Sequence, residues 1–370
     1  MREFRLELSD RSFSRLEFLD NEYSDLDWEF NQIGGCGSLG FRLPRQFCQE
    51  LNIAANFNIK LHRRAKVGTG WNLWWQGLVE NKSPHIESKK EFVNISCQGY
   101  STQLNRIHVD RNYGSQELSI TLKHILDNDI VPNTNITYDA GDIQATSFTA
   151  NSLEFNINAK EAVQTIADLS GYEWGVNKDR KFYFKAKSST VSHRFVLGGK
   201  VVKFFTDDVA QDIVNRVIIK GGNVAGSPFT ATYNDTQSQL KWGRYDKFVS
   251  NSAIVTAEVA QQYANAIFNE KSTIVRRGSM QVVDLDDRIE ETLPIPLMEM
   301  VSRGVAYGER KYGTFLYSGR INYFINKASY KYGNDGVLTT NLSIGVPTPS
   351  IGETIAQIEH KLRQEQSAGL

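Results

Sequence analysis

The sequence predicts an α+β protein that is predominantly β. Three observations carry this. Aromatics make up 11% of the 370 residues, with 20 Phe, 15 Tyr and 6 Trp against 4 Met, a bias toward side chains that suit pleated sheets. Period-two runs separated by Gly- and Asn-rich turns occupy both halves of the chain. Helical spacing is confined to the middle, to one late segment and to the C-terminus.

At roughly 100–200 residues per domain, the length suggests two to three domains. Taken in order, the first hundred residues read as strands: Arg2–Leu8, Leu26–Ile33, Gly40–Leu43, Asn56–Leu61, Trp71–Glu80 and Glu91–Gly99. Turns are expected at Gly34-Gly35, Gly68-Thr69-Gly70 and Asn81-Lys82-Ser83-Pro84. Strands at this spacing indicate a sandwich or barrel over residues 1–102.

Residues 103–193 form a small α+β unit. Leu118, Leu122, Ile125, Leu126 and Ile130 fall at helical spacing, and Pro132 stops the helix. A second helix starts at Asn158-Ala159-Lys160-Glu161, a capping-box-like sequence, and ends at Gly171. Tyr172–Val176 and Lys181–Ala186 then make a hairpin around Asn177–Arg180.

Residues 194–346 return to strands, with Ile213–Lys220, Ser279–Asp284, Gly304–Tyr307, Thr314–Phe324, Ser329–Lys331 and Gly336–Ile344. A helical segment around 256–270 interrupts them, with Thr256 as N-cap. Pro347 and Pro349 open a linker, and residues 347–370 end in a short helix. Its narrow stripe, Ile351, Ile355, Ile358 and Leu362, resembles a coiled-coil seam. Two heptads are unstable alone, so this helix needs a partner chain or a groove to dock on.

Charge excludes one large class of function. The 42 Lys+Arg balance 42 Asp+Glu, whereas a general nucleic-acid binder shows a basic excess. The balance hides segregation. Residues 1–30 hold nine acids against four arginines, and residues 41–94 hold nine bases against four acids. Residues 303–332 hold six bases and one acid. Complementary faces between chains would explain this; neighbouring strands neutralising one another explain it more simply.

The motifs point away from catalysis. Gly35-Cys36-Gly37-Ser38-Leu39-Gly40 spells G-x-G-x-x-G, but Pro44 stands where the dinucleotide-binding helix should run. No Walker sequence or G-x-S-x-G elbow is present. Six dispersed histidines and Cys36, Cys48 and Cys97 offer no metal-site spacing, and the cysteines read as buried thiols. Asp284–Glu291 is rich in acids but lacks the Gly of a calcium loop. No catalytic, cofactor or metal residue is expected. Trp71, Trp74 and Trp75 could form a sugar-stacking platform, although alternating aromatics on a strand are more often core or interface anchors. The N-terminus lacks an apolar signal-peptide core, and no run reaches the ~18 apolar residues of a membrane span.

The order of these pieces resembles a family. Leu26-Asp27-Trp28-Glu29-Phe30 leads to Gly34-Gly35-Cys36-Gly37, and Phe92–Tyr100 runs into Ser101-Thr102-Gln103-Leu104. The helix at Asn158–Gly171 is followed by Gly171-Tyr172-Glu173-Trp174, and Val214-Asn215-Arg216-Val217 by Gly221-Gly222. Together they are similar to the baseplate hub of contractile-tailed phages and the tail hub of long-tailed siphophages, over roughly residues 1–345.

The resemblance implies two tail-tube-like β-barrel domains flanking the α+β unit. It also implies a homotrimer at the virion tail tip or baseplate, made in the host cytoplasm. Its expected partners are the tail tube or distal tail protein ring, the central spike or fibre, and the tape measure protein. Genomic DNA would pass through without specific binding, and acids of residues 1–30 facing the lumen would suit that passage. No enzyme activity and no cofactor are implied. Three other readings stand beside it. They are a tail-associated cell-wall or polysaccharide hydrolase using dispersed carboxylates, a carbohydrate-binding adhesin, and the hub of a related injection machine.

Overall fold

The computed structural model describes residues 3–20, 22–64, 70–87, 90–146, 148–150, 153–186, 191–196, 201–209, 212–224, 226–250, 254, 256–272, 275–283, 297–301, 305–307, 310–312, 320–333 and 336–345. Ile351, Ile355, Ile358 and Leu362, and the acid cluster Asp284–Glu291, lie outside these residues.

The N-terminal segment supplies β1 (Glu3–Ser9), β2 (Arg15–Leu19), β3 (Ser24–Asn31), β4 (Gly34–Pro44), α1 (Arg45–Glu50), β5 (Asn58–Arg64), β6 (Asn72–Glu87) and β7 (Lys90–Gly99). The middle supplies β8 (His108–Tyr113), β9 (Gln116–Glu117), α2 (Leu118–Ile125), β10 (Thr149–Ala150), β11 (Leu153–Asn158), α3 (Ala159–Ser170), β12 (Tyr172–Val176) and β13 (Phe182–Ala186). The late segment supplies β14 (Val191–Val196), β15 (Val201–Val209), β16 (Arg216–Val224), β17 (Ser227–Asn234), α4 (Thr236–Trp242), β18 (Asp246–Ser250), α5 (Ala257–Lys271), β19 (Val275–Val283) and β20 (Leu297–Val301). After these come β21 (Val305–Tyr307), β22 (Arg310–Tyr312), β23 (Arg320–Tyr332) and β24 (Leu338–Gly345). The fold is predominantly β, as the composition predicts.

The principal sheet runs β15-β19-β24-β23-β3-β4-β7-β6-β5-β1-β2. It is antiparallel along this path, and its apolar alternation matches one buried face. The expected two separate barrels are not seen as closed units among the described residues. β3 pairs with β23, Trp28 opposite Tyr330 and Phe30 opposite Ala328, so strands from both β-rich segments share one sheet. A run of alternating residues specifies a strand but not its partner, which is why sequence alone misses this join.

Two cores result. The first lies under the principal sheet and draws on Phe4, Leu6, Trp28, Trp74, Ile325, Tyr330 and Leu342. The second belongs to the middle unit, with Leu122, Ile125, Ile166, Trp174, Phe182 and Phe184. It also takes in Val217, Ile219, Val249, Ala260 and Ala264, so β16, β18 and α5 pack with the middle unit and not under the principal sheet.

The helix signals hold. Asn158 caps α3 by accepting from the Glu161 N–H at 2.9 Å, and Gly171 closes it at φ +71°. Thr256 caps α5. The helix beginning at Leu118 winds as a wider π turn over Leu126–Ile130 before Pro132. One expected turn is absent. Asn81–Pro84 lies inside β6, where a bulge between Val79 and Asn81 absorbs the irregularity. Beyond Val79, among the described strands β6 pairs only with β7, and such an edge tolerates a proline without a donor.

Candidate assembly surfaces

The tryptophan cluster is divided between the core and the surface. Trp74 and Trp75 are 1% and 0% exposed. Trp74 packs edge-on against Trp28 and Tyr330, each with centroids 5.0 Å away, and stacks on Phe4 at 5.6 Å. Neither can meet a sugar, so the sugar-platform reading is corrected for both, and they are core. Trp71 is half-buried, with the guanidinium of Arg5 4.4 Å and that of Arg64 4.7 Å from its ring centroid. Phe18 is covered in the same way by Arg5 and Arg15. Cations thus occupy the π-faces a sugar would need.

The charge blocks meet within the sheet. Glu7 on β1 accepts from Lys60 at 2.9 Å and pairs with His62 at 2.8 Å, both on β5. Burial would raise the Glu7 pKa, but hydrogen bonds from Lys60 and His62 outweigh it and hold the carboxyl below its ordinary value. Burial pushes the His62 pKa below its ordinary value, against the opposing pull of its hydrogen bond to Glu7. Asp20 accepts two hydrogen bonds from Arg5, at 2.6 and 3.1 Å. Arg42 meets Asp25 at 3.1 Å, and Lys327 on β23 pairs with Glu29 on β3. Acids of the first strands are therefore neutralised by bases of residues 41–94 and 303–332, as the simpler reading expected.

The glycine motif is a strand, not a loop. Gly35-Cys36-Gly37-Ser38-Leu39-Gly40 lies within β4. Gly35 has φ +78°, and a Cβ there would sit 2.2 Å from the Val176 carbonyl oxygen. Val176 pairs in parallel with Gly35, and Gly175 with Gly34. This is where the β12–β13 hairpin of the middle unit joins the principal sheet. Beside it the buried Gln32 donates to the buried Glu173. The three cysteines are buried, and burial pushes the Cys48 and Cys97 thiols up, away from the thiolate a nucleophile requires.

Other polar groups are structural. An open depression lined by Arg111, Tyr113, Gln116, Ile120 and His124 holds a Tyr113–His124 contact of 3.1 Å. Burial pushes Tyr113 up to about 12. Arg111 there is committed to both oxygens of Asp129, at 2.7 and 2.9 Å. Among the described residues no group of three His, Cys, Asp or Glu could hold a metal ion, and no helix is long and apolar enough to cross a membrane.

No protein-family model and no curated protein matches the sequence. Solved structures do. The 43 kDa tail protein of prophage MuSo2 from Shewanella oneidensis superposes with a TM-score of 0.65 at 12% identity, over 93% of this chain and 98% of that one. The tail protein from Neisseria meningitidis MC58 gives 0.66 at 9% identity, over 93% and 96%. Prophage tail protein gp18 from Listeria monocytogenes EGD-e gives 0.60 at 13% identity, over 98% and 99%.

The fold is that of phage tail proteins. In this tail-protein fold the resemblance read from Gly171-Tyr172-Glu173-Trp174 has a physical basis. Trp174 is fully buried, donates to the Gln164 side chain at 2.9 Å and stacks on Phe182 at 6.0 Å. Gly175 follows it at the crowded join to Gly34. Sequence reading missed the pairing of β3 with β23 and the exposed apolar residues of β15. The run Val201-Val202-Lys203-Phe204-Phe205, apolar except for Lys203, is the signal that marks the latter.

Proposed function

We propose that this chain is a structural protein of a phage tail, the trimeric hub of its tip or baseplate. One observation carries the reading: three solved tail proteins, two of them from prophages, match over more than nine-tenths of this chain and of each of theirs. A match of that extent argues that the chain does as a whole what such proteins do, not that a tail module is fused to another activity. In this reading the two β-rich segments are the tube-like units of the hub. The principal sheet lines part of the DNA ejection channel. The hub joins the sixfold tube or distal ring to the central spike or fibre, with the tape measure protein as a further neighbour.

The surface chemistry supports a passive role. Acids and bases of the sheet are paired with each other, so little net charge is left to hold a polyanion. The buried thiols and cation-covered aromatics leave no catalytic constellation or sugar platform among the groups described above.

The test is the mass of the purified chain, followed by electron microscopy of the particle. A trimer in solution and threefold density for this chain at the tail tip are expected. A monomer at all concentrations together with no density at the tip would overturn the reading. Hydrolysis of peptidoglycan or capsule by the purified chain would favour the hydrolase instead.

A further inference from the structure

The sheet β17-β16-β18 has β16 at its centre, and among the described residues β18 pairs with β16 alone. That pairing is parallel, and the Arg216 N–H donates to the Tyr245 carbonyl at 3.0 Å. Backbone groups of alternate residues in a strand point the same way. Lys247 and Val249 therefore bond β16, while Asp246, Phe248 and Ser250 turn their backbone groups outward.

An edge of this kind takes another strand unless something blunts it. Three other edges are blunted. On β2 the Phe18 N–H donates to the Glu17 carboxylate at 2.9 Å. On β6 the Lys82 N–H donates to the Asn81 side chain at 2.8 Å, and Pro84 has no donor. β17 carries Pro228. β18 contains no proline, and among the described residues neither Phe248 nor Ser250 gives its N–H to a side chain.

The face beside this edge has a definite chemistry. Val217, Ile219 and Val249 point into the second core, so Arg216, Ile218, Lys220 and Phe248 lie on the other face. Phe248 is 76% exposed and stands opposite Ile218. On one side of this apolar pair, Arg216 and Arg244 both reach Asp246, at 3.2 and 2.7 Å, two cations on one acid. On the other side Lys220 stands between Thr230 and Ser250, with no acid opposite it. The order along the edge is cationic, apolar, cationic. A second copy presents the same excess of cations and is repelled, whereas a strand ordered acid, apolar, acid is matched.

We propose that β18 takes an extended segment of a partner protein as the fourth strand of this sheet. The segment places an apolar side chain beside Phe248, one carboxylate toward Lys220 and another toward Arg244. Backbone pairing supplies the affinity, and these three positions supply the selection. The proposal does not depend on the tail reading, whose failure would show instead in the trimer mass and the tip density.

The test adds a capped peptide, Glu-Thr-Val-Thr-Glu, to the full chain. At saturation it should slow amide exchange at Phe248 and Ser250 by about tenfold or more. The peptide Lys-Thr-Val-Thr-Lys should not, and nor should the Glu peptide with methylated backbone nitrogens. Phe248→Ala, Lys220→Glu and Ser250→Pro should each weaken the Glu peptide by about tenfold. Phe248 and Lys220 are exposed, so their substitution leaves the fold intact even where Ser250→Pro disturbs it. Equal protection by the Lys peptide would overturn the proposal by removing the charge match. Equal protection by the methylated peptide would do so by removing strand pairing. Unchanged exchange with the Glu peptide would also overturn it. So would a dimeric free chain in which these two amides are already protected, which puts a second copy on the edge.

Discussion

Trp174 in the middle core stacks on Phe182 across a tight hairpin, and its indole N–H meets Gln164 one helix earlier. Trp28 in the sheet core stacks on Tyr330, roughly 300 residues further along, with ring planes 6° apart. Both rings are fully buried in aromatic surroundings. The difference lies in who the neighbours are. The middle core closes largely on contacts available as soon as its own segment is made. The sheet core needs the two ends of the chain to meet, which costs loop-closure entropy before any burial rewards it.

Removing each ring tests this contrast most strongly. Trp28→Ala should cost about 3–5 kcal/mol in chemical unfolding. Amide exchange should then rise together in β1–β7 and in β23–β24, because the same ring joins them. Trp174→Ala should cost a similar amount, with its exchange increase centred on α2, α3, β12, β13 and the packed β16–β18 sheet. If both substitutions loosen the same residues, the two cores are one cooperative unit and the contrast fails.

The join between the cores comes next. Gly35→Ala places a methyl against the Val176 carbonyl at a positive φ. A loss of about 1–3 kcal/mol is expected. Exchange should increase where β12 meets β4, leaving the far strands β5 and β6 protected. A neutral substitution would mean that the middle unit is held by its side chains and not by this backbone contact.

The smallest effect sharpens the local side of the comparison. Glu117 caps α2, accepting from Ser119 N–H at 3.0 Å and Thr146 N–H at 2.7 Å. Burial would raise its pKa, but hydrogen bonds from Ser119 and Thr146 outweigh that and hold it below the ordinary carboxylate value. Glu117→Gln should cost about 1 kcal/mol at pH 7. A depressed folded pKa stabilises fully above the unfolded value near ~4.3 and is lost as pH falls through the folded one. The difference between the Gln variant and the parent should therefore shrink below about pH 4. A constant difference from pH 7 to pH 3 would show that the cap acts without its charge.

Much of this protein was determined by sequence alone, wherever the signal is carried by neighbours along the chain. Asn158, Gly171 and Thr256 place helix ends because a cap acts on amides and carbonyls within one turn. The alternation in Leu26–Phe30 and Phe92–Gly99 marks strands because pleating is local. Motif order pointed to a tail hub, and the matched structures share the fold. Only the tertiary structure decided which strands meet. It set Trp28 against Tyr330, turned Trp74 and Trp75 inward while leaving Trp71 between two arginines, and brought Lys327 to Glu29. It also left Phe205 standing open at the end of the sheet. The physical reason is common to all of these. Hydrogen bonding between strands is the same for any pair, so the partner is chosen by burial and complementarity between residues that are remote in sequence.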